Sequence, residues 1–430
     1  MAYRGDRERA RAAEAPKAGL IADLTRQFAD PYAFLRELVQ NGIDAGATAI
    51  EVRIDAEGER LAFSVSDDGA GMTRAILEGP LLTVFSTSKD GDSTKIGKYG
   101  VGFVSVLAIE PEEVIVETWR GGEAWIVRLW IDHRYEIETA APRAGSGTTV
   151  TLRKRVDPAE VGDHVARCRR ATLRWCRHAS VPIHLTAPEA GAAGATQRDR
   201  IDRPIGVKAV VSIAAGEAGE AGEVVVIGPS AGFVAEPDAD ADDPELAASF
   251  VGFYNRGLTL HEATEAPTRG LVGLRVKIAS RTIAHTLSRD DVRRDEAYAR
   301  VVARAEALVP RLREALEEAL GQAAEDVARG RDGRAFAGLL EAALATPLRL
   351  GAGEIVLPLT DRVDGLIAMP LVEITARLDE VGPAILCAAE PSRITGALAR
   401  AGRPVVRADH PGIAAGIPGP AALNSGVCPE

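Results

Sequence analysis

Tyr32-Ala-Phe-Leu-Arg-Glu-Leu-Val-Gln-Asn-Gly-Ile-Asp-Ala45 is the stretch from which the rest of the chain can be interpreted. Wound as a helix, it places its apolar residues together on one side: Phe34, Leu35, Leu38, Val39 and Gly42. Glu37, Asn41 and Asp44 follow at i, i+4 and i+7, so two carboxylates and an amide point the same way along another edge. An ordinary surface helix would show the same pattern, and on this stretch alone that interpretation stays open.

Length and composition indicate a soluble protein of several domains. The chain has 430 residues, enough for two or three domains. Hydrophobic residues make up 46% and charged residues 26%, which is typical of globular proteins. The net charge of -11 argues against a nucleic-acid binder that relies on a basic surface, although a local basic patch is compatible with it.

The cysteines and the lengths of the apolar runs predict where in the cell the protein is found. The four cysteines (Cys168, Cys176, Cys387 and Cys428) are scattered and form no CxxC motif, so we expect reduced thiols in a cytoplasmic protein. No run of about eighteen apolar residues is present, so we expect no membrane span. Residues 1–19 are charged and Ala-rich without an apolar core, which predicts a flexible tail rather than a signal peptide.

A predicted β-hairpin leads into the first glycine-containing turn. After a predicted helix over Ile21–Phe28, Ile50–Ile54 and Leu61–Val65 alternate apolar and polar residues, as hairpin strands do. The second strand runs into Asp67-Asp-Gly-Ala-Gly-Met72. Two glycines this close let the backbone fold tightly against a bound molecule, and Asp67 is left at the strand end to point at it.

Two further segments are suited to enclosing a ligand. Phe85–Lys95 is rich in Ser, Thr, Gly and Lys, a composition that suits a lid. In Ile96-Gly-Lys-Tyr-Gly-Val-Gly-Phe-Val-Ser-Val106, Gly97, Gly100 and Gly102 open an apolar helix and expose backbone N–H groups to a phosphate. A helix start with small residues for close packing is the alternative interpretation.

This glycine cluster matches neither common nucleotide motif. Lys98 is followed by Tyr99 rather than Ser or Thr, which excludes a Walker A loop. The order GxxGxG is the reverse of the dinucleotide-binding order, and no strand immediately precedes it.

Taken together and in this order, the three motifs resemble the GHKL ATPase superfamily, which includes DNA gyrase B, the heat shock protein 90 chaperones, histidine kinases and MutL. Gly147-Thr-Thr-Val-Thr-Leu152 is similar to the strand of that superfamily that carries a nucleotide-contacting Thr. The resemblance covers roughly residues 20–185 well and residues 205–300 weakly.

Fewer residues indicate which family within the superfamily the chain resembles. Ile96–Phe103 looks like the heat shock protein 90 version, whereas Glu37–Thr48 resembles MutL as much as a chaperone. Histidine kinases generally lack an equivalent of Glu37 and need an upstream phosphoacceptor His, which is not present. We therefore favour the heat shock protein 90 (HtpG-like) chaperone family, shortened at the C-terminus. A GHKL switch of MutL or MORC type, acting on DNA or a partner protein, is the alternative.

The resemblance implies an α+β protein of several regions. We expect an N-terminal GHKL (Bergerat) α/β sandwich at residues 20–190, a middle-type α/β domain at 201–330, and a small C-terminal α/β region with a loose tail at 331–430. The sequence between them predicts a linker at 187–200 and strands at 205–213 and 250–260. It also predicts a long helical stretch, 291–330, that Pro310 breaks or kinks.

The resemblance also assigns roles for ATP hydrolysis with Mg2+. Glu37 is the expected general base, Asn41 the Mg2+ ligand and Asp67 the acceptor of the adenine amino group, with Thr148 supporting Asp67 through water. The rest of the predicted nucleotide-binding set is Asp44, Gly71, Met72, Gly97, Gly100, Val101, Gly102 and Phe103.

One predicted catalytic residue lies much later in the chain. Arg289 stands in Ser-Arg-Asp, where the chaperones carry Ser-Arg-Glu, and the resemblance implies that it reaches the γ-phosphate. A surface charge at a helix N-terminus is the alternative. The implied partners are unfolded or client proteins and a second copy of the chain. The homodimer is in doubt because the chain looks too short for a standard dimerisation domain.

Overall fold

The computed structural model describes residues 30–82, 100–130, 134–189, 195–216, 222–235, 243–286, 291–360, 366–374, 376, 386–388 and 393–407. The chain divides into two units, one of residues 1–204 with Arg256–Thr259, the other of residues 205–255 with 260–430. The predicted tails, the helix at Ile21–Phe28 and the lid at Phe85–Lys95 lie outside the described residues.

An eight-stranded sheet with the order β5-β4-β3-β6-β2-β1-β7-β8 forms the body of unit 1. Its strands are β1 Ile50–Glu57, β2 Arg60–Asp67, β3 Glu113–Arg120, β4 Glu123–Trp130, β5 Tyr135–Thr139, β6 Gly147–Arg155, β7 Ile183–Pro188 and β8 Thr196–Arg200. Neighbouring strands are antiparallel except β1 and β7, which are parallel. The predicted hairpin is confirmed as β1 and β2.

Two long helices pack together and against this sheet: α1 Phe34–Asp44 and α2 Val161–Cys176. The apolar side of α1 is buried in one cluster with the inward residues of β1 and β2, such as Val52 and Phe63. The predicted end of α1 at Gly46 is confirmed, because this glycine has a left-handed φ of 76° just beyond the helix. The helix and the sheet therefore form the two layers of an α/β sandwich.

Four short helical segments in the described part of unit 1 form two consecutive pairs, and both pairs contribute residues to the cavity described below. Arg74–Ile76 is a single turn that continues as a π turn over Leu77–Leu81. Gly100–Phe103 is another single turn, followed by a 3-10 turn at Val104–Leu107.

The predicted linker at 187–200 is wrong in part. β7 extends to Pro188, and β8 pairs with it along Thr196–Arg200 as the edge of the sheet. β8 reads Thr-Gln-Arg-Asp-Arg and is mostly exposed, so it shows no apolar alternation. Its pairing depends on backbone hydrogen bonds, which hydrophobic periodicity does not reveal.

The described part of unit 2 contains two sheets, the four helices named below and a helical segment at 371–374. The first sheet has the order β12-β11-β13-β10-β9 and the second β15-β14-β17-β16. Their strands are β9 Ile213–Ala215, β10 Val224–Pro229, β11 Phe250–Asn255, β12 Leu258–Ala263, β13 Leu274–Ala279, β14 Val356–Thr360, β15 Leu366–Pro370, β16 Leu386–Ala388 and β17 Val405–Arg407. The helices are α3 Glu296–Ala307, α4 Val309–Ala328, α5 Arg334–Leu344 and α6 Arg393–Arg400. One-turn 3-10 segments lie at Pro158–Glu160 in unit 1 and at Pro244–Leu246 and Arg269–Leu271 in unit 2.

The two sheets of unit 2 share a hydrophobic core. Val276 of β13, Leu316 of α4 and Leu357 of β14 are buried in one cluster. The described parts of residues 201–330 and 331–430, predicted as separate regions, both contribute side chains to this core. The predicted break at Pro310 is confirmed: α3 ends at Ala307, and α4 begins with this proline in its first turn.

Two predicted strands of unit 2 have different bounds. Only Ile213 from the predicted strand at 205–213 lies in β9. The predicted strand at 250–260 is a hairpin, β11 and β12, with its turn at Arg256–Gly257; the turn and the first two residues of β12 belong to unit 1. Both turn residues have left-handed φ values, 51° and 78°, the conformation that tight hairpin turns require.

Candidate functional site

A cavity of about 420 Å3 opens in unit 1 between α1 and the sheet. Its described apolar lining consists of Leu38, Ala45, Val65, Ala70, Met72, Ile76, Leu81, Phe103, Val116 and Val150. Its described polar lining is smaller: Asn41, Asp44, Asp67, Arg120 and Thr148. An apolar body with a few convergent polar groups, in this volume range, is typical of small-molecule sites.

The sheet side of the cavity is built by strand register. Val150 of β6 lies opposite Val65 of β2 on one side and opposite Val116 of β3 on the other. Because side chains alternate along a strand, the residues two positions away share this face. One such row therefore carries three valines, and the next row carries Asp67, Thr148 and Thr118 in the same register.

Asp67 ends β2 and is half-buried at the cavity. Its Oδ1 accepts a hydrogen bond from the backbone N–H of Gly69 at 2.9 Å. Burial raises the pKa of this carboxyl above its ordinary value, although hydrogen bonds from the backbone of Gly69 and Thr148 oppose the shift. The molecule thus keeps a carboxyl group in a position where its ionised form is disfavoured, which is typical of functional sites.

Hydrogen bonds to the loop after α1 on one side, and to β3 on the other, hold the turn after Asp67. The Ala70 N–H donates to the carbonyl of Ala45 at 2.9 Å, and the Met72 N–H donates to Thr118 Oγ1 at 2.8 Å. Between them, Gly71 has a φ of 64°, and a Cβ there would stand 2.2 Å from the Trp119 carbonyl oxygen. Only glycine fits this position, so the sequence DxGxG is explained by close backbone approach.

The neighbouring carboxylate, Asp68, has a different role. It accepts hydrogen bonds from the backbone N–H groups of Thr48 at 2.6 Å and Ala49 at 3.1 Å, and from the Thr48 hydroxyl. These bonds, that of the Thr48 side chain first, hold the pKa of Asp68 below its ordinary value. Asp68 therefore fixes the loop between α1 and β1, while Asp67 faces the cavity.

Glu37, the predicted general base, is 6% exposed and is not among the described residues that line the cavity. Its Oε1 accepts a hydrogen bond from Arg36 Nη2 at 3.0 Å. Arg36 is equally buried, and its guanidinium lies 4.9 Å from the centre of the Trp175 ring on α2. In this structure the carboxylate is therefore held by Arg36, one turn of α1 before Asn41.

The structure brings much of the predicted nucleotide-binding set together. Residues that line the cavity are Asn41, Asp44, Asp67, Gly71, Met72, Phe103 and Thr148. Gly100, Val101 and Gly102 lie in the single helical turn that ends at Phe103. Gly97 and Arg289 lie outside the described residues. The role of each residue stays a prediction.

Sequence reasoning missed several residues of the site. Thr118 is 1% exposed, accepts from Met72 and lies 3.2 Å from Thr148, oxygen to oxygen. Arg120, at the end of β3, is the described basic residue of the cavity lining. Strand β3 reads Glu-Val-Ile-Val-Glu-Thr-Trp-Arg, a strong β pattern that could have located Thr118. Its pairing with β6 could not have been read from the sequence.

Two features are absent from the described residues. They contain no group of three or more His, Cys, Asp or Glu side chains arranged to hold a metal ion. Within the same part of the chain, the helices are too short or too polar to cross a bilayer.

Comparison with known proteins agrees with this geometry. Residues 32–149 match the family described as histidine kinase-, DNA gyrase B-, and HSP90-like ATPase. The chaperone protein HtpG of Shewanella oneidensis is 29% identical over 185 residues, covering 35% of this chain and 28% of the relative. HtpG of Roseobacter denitrificans is 31% identical over 193 residues, covering 38% of this chain and 30% of the relative.

The matches cover part of this chain and part of each relative. The chain spans less than a third of the length of the two HtpG relatives that it matches, and the family match covers the part of unit 1 that contains the cavity. The region of residues 32–149 is therefore a domain of the GHKL ATPase superfamily, similar to that of the HtpG chaperones.

Proposed function

We propose that the protein is an ATP-binding and ATP-hydrolysing molecular chaperone of heat shock protein 90 type, whose nucleotide binds in the cavity of unit 1. The observation that carries this proposal is the position of Asp67, a half-buried carboxyl in the lining of a mostly apolar cavity. A planar base fits between apolar walls, and a carboxylate there accepts a hydrogen bond from its amino group. Thr148, opposite Asp67 on the next strand, supports the same contact.

Hydrolysis requires a group that orients and deprotonates water, and Glu37 is the candidate. Oε1 of Glu37 accepts from Arg36, and Glu37 is not among the described residues of the cavity lining, so we propose that this is a resting arrangement. Glu37 therefore acts after its side chain turns toward the site where the phosphates lie. This turn separates nucleotide binding from turnover.

The described residues of the cavity offer Mg2+ a side-chain ligand, which the phosphates of a nucleotide and water would complete. Asn41 lines the cavity and offers a hard amide oxygen, the kind of donor that Mg2+ accepts. Mg2+ in nucleotide sites is usually held by one or two side chains together with phosphates and water, so a cage of protein ligands is not required. When bound, the ion neutralises phosphate charge.

Several further properties rest on the similarity to HtpG. Client or unfolded proteins are the proposed partners, and a homodimer is the proposed assembly. We infer a cytoplasmic location from the two free, buried cysteines in α2, Cys168 and Cys176. Arg289 is proposed to assist turnover.

Phosphate release from ATP by the full chain tests the proposal. We expect slow turnover that unfolded protein stimulates and duplex DNA does not. Stimulation by DNA alone would favour a switch of MutL or MORC type, and the absence of turnover would contradict the ATPase assignment.

A further inference from the structure

Asp44, at the C-terminal end of α1, lines the cavity and forms an ion pair with Arg256. Arg256 belongs to Arg256–Thr259, the short segment that is part of unit 1 although it lies far along the chain. The guanidinium Nη1 donates to Asp44 Oδ1. The Arg256 side chain is 41% exposed and the Asp44 side chain 29%, so the pair is only partly solvated.

The backbone fixes the position of Arg256 independently of this ion pair. The Ser180 N–H donates to the Arg256 carbonyl at 3.2 Å, and Thr259 Oγ1 donates to the Arg174 carbonyl at 2.7 Å. Leu258 is 2% exposed and packs in the hydrophobic core of unit 1. The guanidinium is thus presented to Asp44 by an anchored turn, unlike a typical surface ion pair between two mobile side chains.

The electrostatics of α1 show what the pairing does. The C-terminal end of a helix carries a partial negative charge, and Asp44 adds a full negative charge there. The last turn of α1 contains no basic residue of its own. Among the described lining residues, Asp44 and Asp67 are acidic and Arg120 is basic. Without Arg256, this end of α1 would present an electronegative wall to an anionic ligand.

The repulsion is strong enough to affect binding, because charges that are only partly solvated interact more strongly than the same charges in bulk water. A nucleotide brings two or three phosphates to the cavity, so an uncompensated Asp44 would weaken its binding. An uncharged nucleoside would not experience this repulsion.

We propose that Arg256 is a positioning residue of the nucleotide site: it neutralises Asp44 and the C-terminal end of α1, so that the phosphates of a nucleotide are tolerated beside them. This inference rests on the proposed function, because it concerns the same cavity. It adds a residue more than 200 positions after α1 in the sequence.

Titration of ADP and of adenosine into four full-length proteins tests this role: the unaltered chain, Arg256→Asn, Arg256→Lys and Asp44→Asn with Arg256→Asn. Asn is chosen because it tolerates the left-handed φ of position 256 better than other uncharged side chains. We expect Arg256→Asn to weaken ADP binding about tenfold and adenosine binding hardly at all. The defect should shrink in high salt, because added ions screen partly exposed charges.

The remaining variants separate charge from shape. Arg256→Lys keeps the positive charge and should bind ADP within about threefold of the unaltered chain. The double variant should bind ADP more tightly than Arg256→Asn, because no uncompensated carboxylate remains. Equal losses for ADP and adenosine, no loss for either, or no recovery in the double variant would overturn the role of Arg256. Binding of ADP by the unaltered chain decides the proposed function separately. Melting temperatures confirm that each variant is folded.

Discussion

Gly42 of α1 lies directly against Asp67 of β2: a Cβ at position 42 would stand 3.1 Å from the Asp67 Cβ and 3.5 Å from its Cγ. The same Cβ would also stand 3.1 Å from Cδ1 of Ile50 on β1. The helix therefore packs tightly against the side chain that is predicted to bind adenine. Glycine at position 42 explains how α1 and Asp67 share one wall of the cavity.

Gly42→Ala should separate stability from binding. Alanine favours a helix over glycine by about 0.5–1 kcal/mol, while the contacts near 3.1 Å require Asp67 or Ile50 to move by a few tenths of an ångström. We expect the melting temperature to change little and ADP affinity to fall by about tenfold. Gly321→Ala is the matched control, because a Cβ there meets nothing within 4 Å in helix α4. Unchanged ADP affinity in Gly42→Ala would contradict the expectation that the close contact between position 42 and Asp67 affects binding.

Glu37→Gln should bind ATP and hydrolyse it more slowly by about 10²–10⁴, the usual contribution of a general base. Gln keeps an oxygen that can accept a hydrogen bond from Arg36. Ala would leave the buried arginine without its carboxylate and destabilise the fold, so a slower rate could not be assigned to the loss of the general base. Glu113→Gln removes a carboxylate that pairs with Arg128 on strand β4, and should hydrolyse ATP normally. Steady-state phosphate release with saturating ATP makes the comparison. Normal turnover in Glu37→Gln would remove this residue from the mechanism.

Asp67→Asn should make the ligand-free protein more stable relative to the unaltered chain as the pH rises. Burial raises the pKa of Asp67 in the folded state, so ionisation of this group costs folding free energy. Below the unfolded pKa of about 3.9 both states are protonated and the cost is absent; it develops fully as the pH passes above the folded pKa. Thermal unfolding at intervals from about pH 4 to pH 7 measures this trend. A difference in melting temperature that does not grow in favour of the variant would contradict the burial of a charged group.

Arg289→Ala should lower the rate of ATP hydrolysis and leave ADP affinity unchanged, because ADP has no γ-phosphate. Arginines that stabilise a transferred phosphoryl group contribute on the order of 10³-fold or more, and we expect at least about tenfold in a slow ATPase. Arg281→Ala, at an exposed nearby position, is the control. If Arg289→Ala hydrolyses ATP as fast as the control, the residue is only a surface charge.

The sequence predicted the parts of unit 1 that rest on local patterns. Helix α1 and the hairpin of β1 and β2 have strong periodicity, and Asp67 was placed correctly at the end of β2 because a glycine-containing turn follows it. The cavity lining contributed by Val116, Thr118 and Arg120 was missed. It depends on the pairing of β3 with β6, a long-range contact that no local pattern specifies.

The pairings of Glu37 and Asp44 show a second limit. Arg36 precedes Glu37 directly, yet neighbouring helical residues do not normally face each other, so their ion pair was not expected. Asp44 was predicted as a binding residue on its position along α1, without its partner. Arg256 comes from a hairpin turn that the sequence analysis predicted as part of one continuous strand at 250–260.

Calorimetric titration of ADP into the full chain and into Asp67→Asn tests most directly whether the cavity of unit 1 binds nucleotide. We predict one ADP per chain for the unaltered protein and no measurable binding for the variant, because an amide no longer accepts from the adenine amino group in the same way. Thermal unfolding shows that the variant is folded. A folded Asp67→Asn protein that binds ADP with unaltered affinity, or an unaltered chain that binds none, would contradict a nucleotide site in this cavity.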